Sequence, residues 1–251
     1  MIDPQLILAA LVALVFAGIH VGGGALTFLR VAPRSVWLSM AGGVSVSYVF
    51  VHLLPELAEY QETLGGRAER AGGWLSSFEH HVYIIALIGL GIFYGLDRLA
   101  RQSGMNERKA GRAPRPSRMV FWIHLGSFAI YNCLIGYLLV HREETDLRGL
   151  AIYAVAMALH FVVNDQGLRD QHGEVYDAKG RWLLAAAPLI GFGIGAATIV
   201  SPVLLSALFA FLAGGVVLNV LKEELPEDRE SRFWAFAAGT AAYTVLLLAT
   251  G

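Results

Sequence analysis

Cysteine is nearly missing from this chain. Cys133 is the only one, so no internal disulfide and no Cys-based metal cluster can form. Charge is scarce as well: Asp, Glu, Lys and Arg make up 16% of the 251 residues and cancel to a net −1, which selects no acidic or basic partner. No basic face with interleaved aromatics points to nucleic acid. Neither HExxH nor GxSxG occurs. An embedded hydrolase needs a nucleophile or a metal-activated water beside a base, so the chain is read as a non-enzyme. No Lys or Arg precedes the first apolar run, which is also too long for the apolar region of a cleavable signal peptide.

What the chain has in excess is hydrocarbon. Hydrophobic residues make up 56% and the mean hydropathy is +0.56, far more apolar surface than a soluble domain of this length needs. These residues fall in runs of the length that crosses a hydrocarbon core about 30 Å thick. The runs are Leu6 to Leu29, Val36 to Leu57, Val82 to Leu99, Met119 to Val140, Leu150 to Gly167, Trp182 to Val200, Pro202 to Leu221 and Phe233 to Thr250. The expected fold is therefore all-α: a single integral membrane domain of eight transmembrane helices. The fifth run is the weakest, because polar residues crowd its second half. With the N-terminus outside, all of the 19 Lys and Arg residues except Arg67, Arg70, Arg142 and Arg148 lie in alternate, inner loops. That bias supports eight spans in the cell membrane with both termini outside, and a seven-span count would break the alternation.

The loops carry few signals. Residues 101–118 include a run rich in Arg, Gly and Pro with no apolar period, and are read as a flexible cytoplasmic loop that sets topology; its basic cluster also suits anionic lipid headgroups. His80-His81 is read as an interfacial pair. Asp165, Arg169, Asp170, His172, Glu174 and Asp177 follow span five and are read as a solvated loop neutralised by Lys179 and Arg181, a metal-release site being the alternative. His20, among glycines in span one, is read as a buried hydrogen-bonding group, with a ligand role as the alternative.

A repeat organises the halves. Residues 42–56 align with 213–227 without a gap at an offset of 171, with identities at Gly43/Gly214, Val46/Val217, Val49/Val220, Leu54/Leu225, Pro55/Pro226 and Glu56/Glu227. The two copies run in opposite directions across the membrane, so spans one to three and six to eight form an expected inverted repeat around spans four and five. Transporters built this way bind their cargo near the midplane at the repeat interface. The central spans carry the polar residues that hydrocarbon disfavours. Tyr131, Asn132 and Cys133 lie in span four, and His160, Asn164 and Asp165 in span five, with His160 and Asn164 one turn apart. At the outer end of span two, His52 and Glu56 share a face around Pro55, where the options are a cation entry site or a capped helix end.

Span two ending in His52-Leu53-Leu54-Pro55-Glu56, span seven running from Ala213-Gly214-Gly215 to Leu225-Pro226-Glu227, and eight spans with a long loop after the third resemble the ZIP divalent-metal transporters over nearly the whole chain. The resemblance implies a 3+2+3 helix arrangement and a metal site on spans four and five, whose family motifs read His-Asn-x-x-Glu-Gly and His-Glu-x-x-His-Glu-x-Gly. Asn132, Gly136, His160 and Gly167 match and Asp165 stays acidic. Tyr131, Ile135, Phe161 and Asn164 replace ligands.

The candidate metal residues are thus His160, Asn132, Asn164, Asp165 and Cys133, with His52 and Glu56 at the entry. No resident cofactor is expected, only a divalent metal as substrate. Candidate partners are the lipid bilayer, that metal ion and a second copy of the chain in a homodimer. Two functions follow: a transporter of a zinc-like divalent cation through a rebuilt midplane site, or a non-transporting ZIP-like membrane protein whose midplane groups satisfy one another, with a structural, sensing or binding role.

Overall fold

A computed structural model describes residues 4–25, 36–71, 81–111, 116–141, 147–224 and 232–250, with backbone alone for 63–71, 223–224 and 250. His80, Arg30, Arg34, Arg112, Arg115, Arg142, Arg229 and the second copy's Leu225-Pro226-Glu227 lie outside them. Every regular element among the described residues is helical. The order is α1 (Pro4–Gly22), a 3₁₀ turn (Gly23–Ala25), α2 (Val36–Tyr48), a π-helical turn (Val49–Leu53), α3 (Leu54–Ala71), α4 (His81–Lys109), α5 (Arg118–Leu138), α6 (Leu147–His172), a second π turn (Tyr176–Gly180), α7 (Arg181–Ala197), α8 (Pro202–Glu224) and α9 (Phe233–Thr250). Among the described residues seven helices are long and apolar enough to cross a membrane, and Phe233–Ala249 is a shorter apolar one. Multiple spans of this kind describe a multi-pass membrane protein.

Sidedness follows from side-chain spacing. In α1 the residues Ala9, Ala13, Phe16, Ala17 and His20 are buried while Ile7, Leu11, Leu14 and Val15 are exposed. Apart from Phe16, the buried apolar residues are alanines and the large aliphatic ones lie outside, as expected where lipid offers no hydrophobic drive between helices and close packing takes its place. The helix read as weakest from sequence, α6, is among the most enclosed, with 56% of its apolar window buried. It is tied to its neighbours by Tyr153, whose hydroxyl donates to the Ile135 carbonyl at 3.0 Å, and by Tyr243, which donates to the Ile152 carbonyl at 2.8 Å.

Glycine sets the tightest crossings. A Cβ on Gly43 of α2 would overlap the Phe236 carbonyl of α9, and one on Gly239 of α9 would overlap the Met40 carbonyl of α2. The crossing of α8 with α4 has the same form: Gly214 abuts the Ala86 carbonyl and Leu90 nitrogen, and Gly89 abuts the Phe211 carbonyl. The two sets correspond residue by residue. Met40 and Gly43 map to Phe211 and Gly214 at an offset of 171, and Ala86, Gly89 and Leu90 map to Phe236, Gly239 and Thr240 at an offset of 150. A third crossing joins α5 to α7, where Gly136 meets Pro188, and Gly191 meets Cys133 and Tyr137.

Two sequence expectations are corrected. The loop expected over 101–118 is helical to Lys109, because Met105, Glu107 and Arg108 are good helix formers and no proline intervenes. The chain turns at Gly111, whose φ of 71° needs no Cβ, and α5 restarts at Ser117, whose hydroxyl caps Val120. Span two does not end at Leu57. Pro55 has no N–H for the carbonyl four residues back, so the Leu54 N–H reaches Val49 instead and the helix runs through this π turn to Ala71.

Candidate functional site

Asp165 of α6 is the centre of a buried network, fully excluded from solvent. His20 of α1 donates from Nδ1 to Asp165 Oδ1 at 2.8 Å, and the Tyr176 hydroxyl donates to the same oxygen. On the far side of the imidazole, Asn132 Nδ2 of α5 lies 2.9 Å from His20 Nε2. A carboxylate only accepts and an amide nitrogen only donates. His20 therefore bridges α6 and α5 through its two ring nitrogens.

One turn along α6, the Arg169 guanidinium lies 3.9 Å from Asp165 Oδ2, and its Nε donates to Asp177 Oδ1 at 2.7 Å. Its charged carbon also sits 5.2 Å from the centre of the Tyr176 ring. The chain admits so polar a group here because α1 gives way to Gly23 and Gly24. A Cβ on Gly23 would stand 2.9 Å from Asp165 Oδ2, and one on Gly24 would stand 3.7 Å from Arg169.

A second polar pair lies beside the first. The Tyr131 hydroxyl and His160 Nε2 are 3.0 Å apart, and Phe161, wholly buried, packs its ring 4.7 Å from that of His20 and 6.2 Å from that of His160. Tyr131→Phe is expected to remove that hydrogen bond and lower stability by about 1 kcal/mol, read as a fall in thermal unfolding midpoint in detergent.

The sequence-derived residues divide. Asn132 and Asp165 meet through His20, and His160 pairs with Tyr131. Asn164 is buried with Nδ2 unpartnered, and the half-buried Cys133 has no hydrogen bond to the network. Among the described residues no group of three or more His, Cys, Asp or Glu could hold a metal ion. Chemistry agrees: Asp165, the carboxylate a dication would need, already accepts two hydrogen bonds and faces a guanidinium.

The expected solvated loop after span five is also corrected. Arg169 and His172 are buried on the last turns of α6, because the turn at Gly173, whose φ is 59°, and the π turn fold Tyr176 and Asp177 back onto that helix. Sequence reasoning placed Arg169 and Asp177 in a solvated loop, with a release site as the alternative, and did not single out Tyr176. The available signal was the i, i+4 spacing of Asp165 and Arg169.

At the proposed entry, His52 Nε2 and Glu56 Oε2 are 3.7 Å apart. Both line an open cleft of about 110 Å³ whose walls include Glu59, Tyr60, Tyr153 and Phe209. The π turn presents His52 there, since widening the helix by one residue rotates the side chains that precede Pro55.

No family model, no curated protein and no solved structure matches this chain. Its function must be argued from its own geometry.

Proposed function

We propose that the chain is a multi-pass membrane transporter of ZIP-like architecture, an inverted 3+2+3 repeat with both termini outside the cell membrane. The observation that carries this reading is the duplicated glycine crossing. Met40 and Gly43 against Phe236, Gly239 and Thr240 repeat as Phe211 and Gly214 against Ala86, Gly89 and Leu90. Exchanging α2 with α8 and α4 with α9 interchanges the two crossings, as a two-fold axis between the halves requires. On this reading α5 and α6 lie between the repeats; they carry Asn132 and Asp165, which meet through His20 of α1, and the Tyr131 and His160 pair. Polar groups of this kind inside an apolar bundle mark a solute path by default. The cargo proposed is a small cation entering at His52 and Glu56, with zinc-like divalent ions as the substrate class.

A specific observation favours a second reading. Arg169 stands 3.9 Å from Asp165, where a dication would have to displace it. In that reading the chain keeps the architecture without transport, and the network fastens α1, α5 and α6 together. Purified protein in sealed vesicles separates the two. Transport predicts uptake of Zn²⁺, Fe²⁺ or Mn²⁺ above empty vesicles, reduced at least about tenfold by Glu56→Gln, a change that removes the carboxylate of the entry pair. No flux for any of the three ions leaves the non-transporting reading standing.

A further inference from the structure

We infer that the groove between α4 and α8, at the end of the molecule where Lys and Arg concentrate, binds the headgroup of an anionic phospholipid. The inference rests on the multi-pass fold and is independent of transport. The groove has a volume of about 740 Å³. One wall is a stripe on α4, where Tyr94, Arg98, Arg101, Met105 and Lys109 follow one another at helical spacings of three and four. The other is α8, which adds Leu218, Leu221 and Lys222.

Among the described side chains that line the groove, Arg98, Arg101, Lys109 and Lys222 are cationic and Asp97 is anionic. Asp97 accepts from Lys222 at 2.6 Å, from Arg101 at 3.0 Å and from Gln171 at 3.1 Å. This carboxylate clamps α4, α6 and α8 together and neutralises one cation, while Arg98 and Lys109 stay exposed above it. The described side chains lining the groove thus sum to a net charge of +3.

Depth along the helices matches a headgroup. From His81 to Arg98, and from Pro202 to Lys222, each helix rises roughly 25 to 30 Å, the thickness of the hydrocarbon core. Arg98 and Lys222 thus sit at its edge. Tyr94, Leu218 and Leu221 lie just below, where the first methylenes of acyl chains run. A free phosphate would use the cations and leave the apolar wall uncovered. A phospholipid covers both, and basic side chains at this level draw anionic lipid.

The test is native mass spectrometry of the full chain in detergent, titrated with phosphatidylglycerol and with phosphatidylcholine. Wild type is expected to retain phosphatidylglycerol preferentially, and Arg98→Gln/Lys109→Gln to weaken it by about fivefold per charge removed. Arg118→Gln, an exposed cation at the same end outside this groove, is expected to leave the preference unchanged. Equal retention of the two lipids, an unaffected double variant, or an Arg118→Gln loss as large as that of the double variant would each overturn the inference. Full competition by glycerol phosphate at equal concentration would reassign the groove to a soluble phosphate, and displacement of the lipid by an acidic peptide would reassign it to a protein. A chain that moves no ion but shows this lipid preference leaves the inference intact while the transport reading fails.

Discussion

Asp165→Ala is expected to lower the stability of the protein by about 3 to 5 kcal/mol, the range for removing one partner of a buried ion pair. The change removes one of the two carboxylates facing the Arg169 guanidinium, whose Nη1 and Nη2 already lack hydrogen-bond partners and whose Nε keeps Asp177, and it takes the acceptor from both His20 and Tyr176. Thermal unfolding in detergent reads the loss. Asp165→Asn should cost less, because an amide oxygen still accepts from His20, and Asp165→Asn/Arg169→Gln should recover part of the loss by removing a buried charge left with Asp177 as its carboxylate. A double variant no more stable than Asp165→Asn alone would show that the 3.9 Å pair contributes nothing beyond its hydrogen bonds.

The second large effect lies in the glycine crossings. Gly43→Ala and Gly214→Ala each drive a methyl into a backbone carbonyl of the facing helix, and a carbonyl in a helix cannot rotate away. Each is expected to destabilise by on the order of 3 kcal/mol, the upper end of overpacking penalties. Because the two crossings correspond residue for residue, their penalties should agree within about 1 kcal/mol, the scatter expected of single-site overpacking changes. Gly91→Ala, which has open space around the position, should instead gain the roughly 0.5 to 1 kcal/mol of helix propensity that alanine holds over glycine. Unequal losses at Gly43 and Gly214 would argue against a shared ancestry of the two halves.

Much of the architecture was legible because hydropathy and helix length are one-dimensional properties. Runs of apolar residues are long enough to cross a bilayer whatever they pack against, so their number and approximate bounds follow from reading along the chain. The polar pair of Asn132 and Asp165 was legible for a related reason: few residues of that kind survive in such a setting without a partner. The partners were not legible. His20 lies 145 positions from Asp165, and only the meeting of α1 with α6 joins them. Arg169 looked solvated because charge near a span end is solvated in most chains. Here Tyr176 folds back over it and the helix extends past the apolar run. The 101–109 segment was misread because low hydropathy ends a span without ending a helix.

By itself the sequence determined that this is a helical chain for a membrane, with a short stretch repeated at an offset of 171 and polar groups in two of its apolar runs. Those follow from composition and spacing, which the chain carries in any conformation. Only the tertiary structure decided what the polar groups do. It gave Asp165 to His20, Tyr176 and Arg169 instead of leaving it open, and it showed that the repeated glycines make two matching crossings. The physical reason is that hydrogen bonds, ion pairs and backbone contacts are set by distances of a few ångströms between residues far apart in the chain. No local pattern encodes those distances.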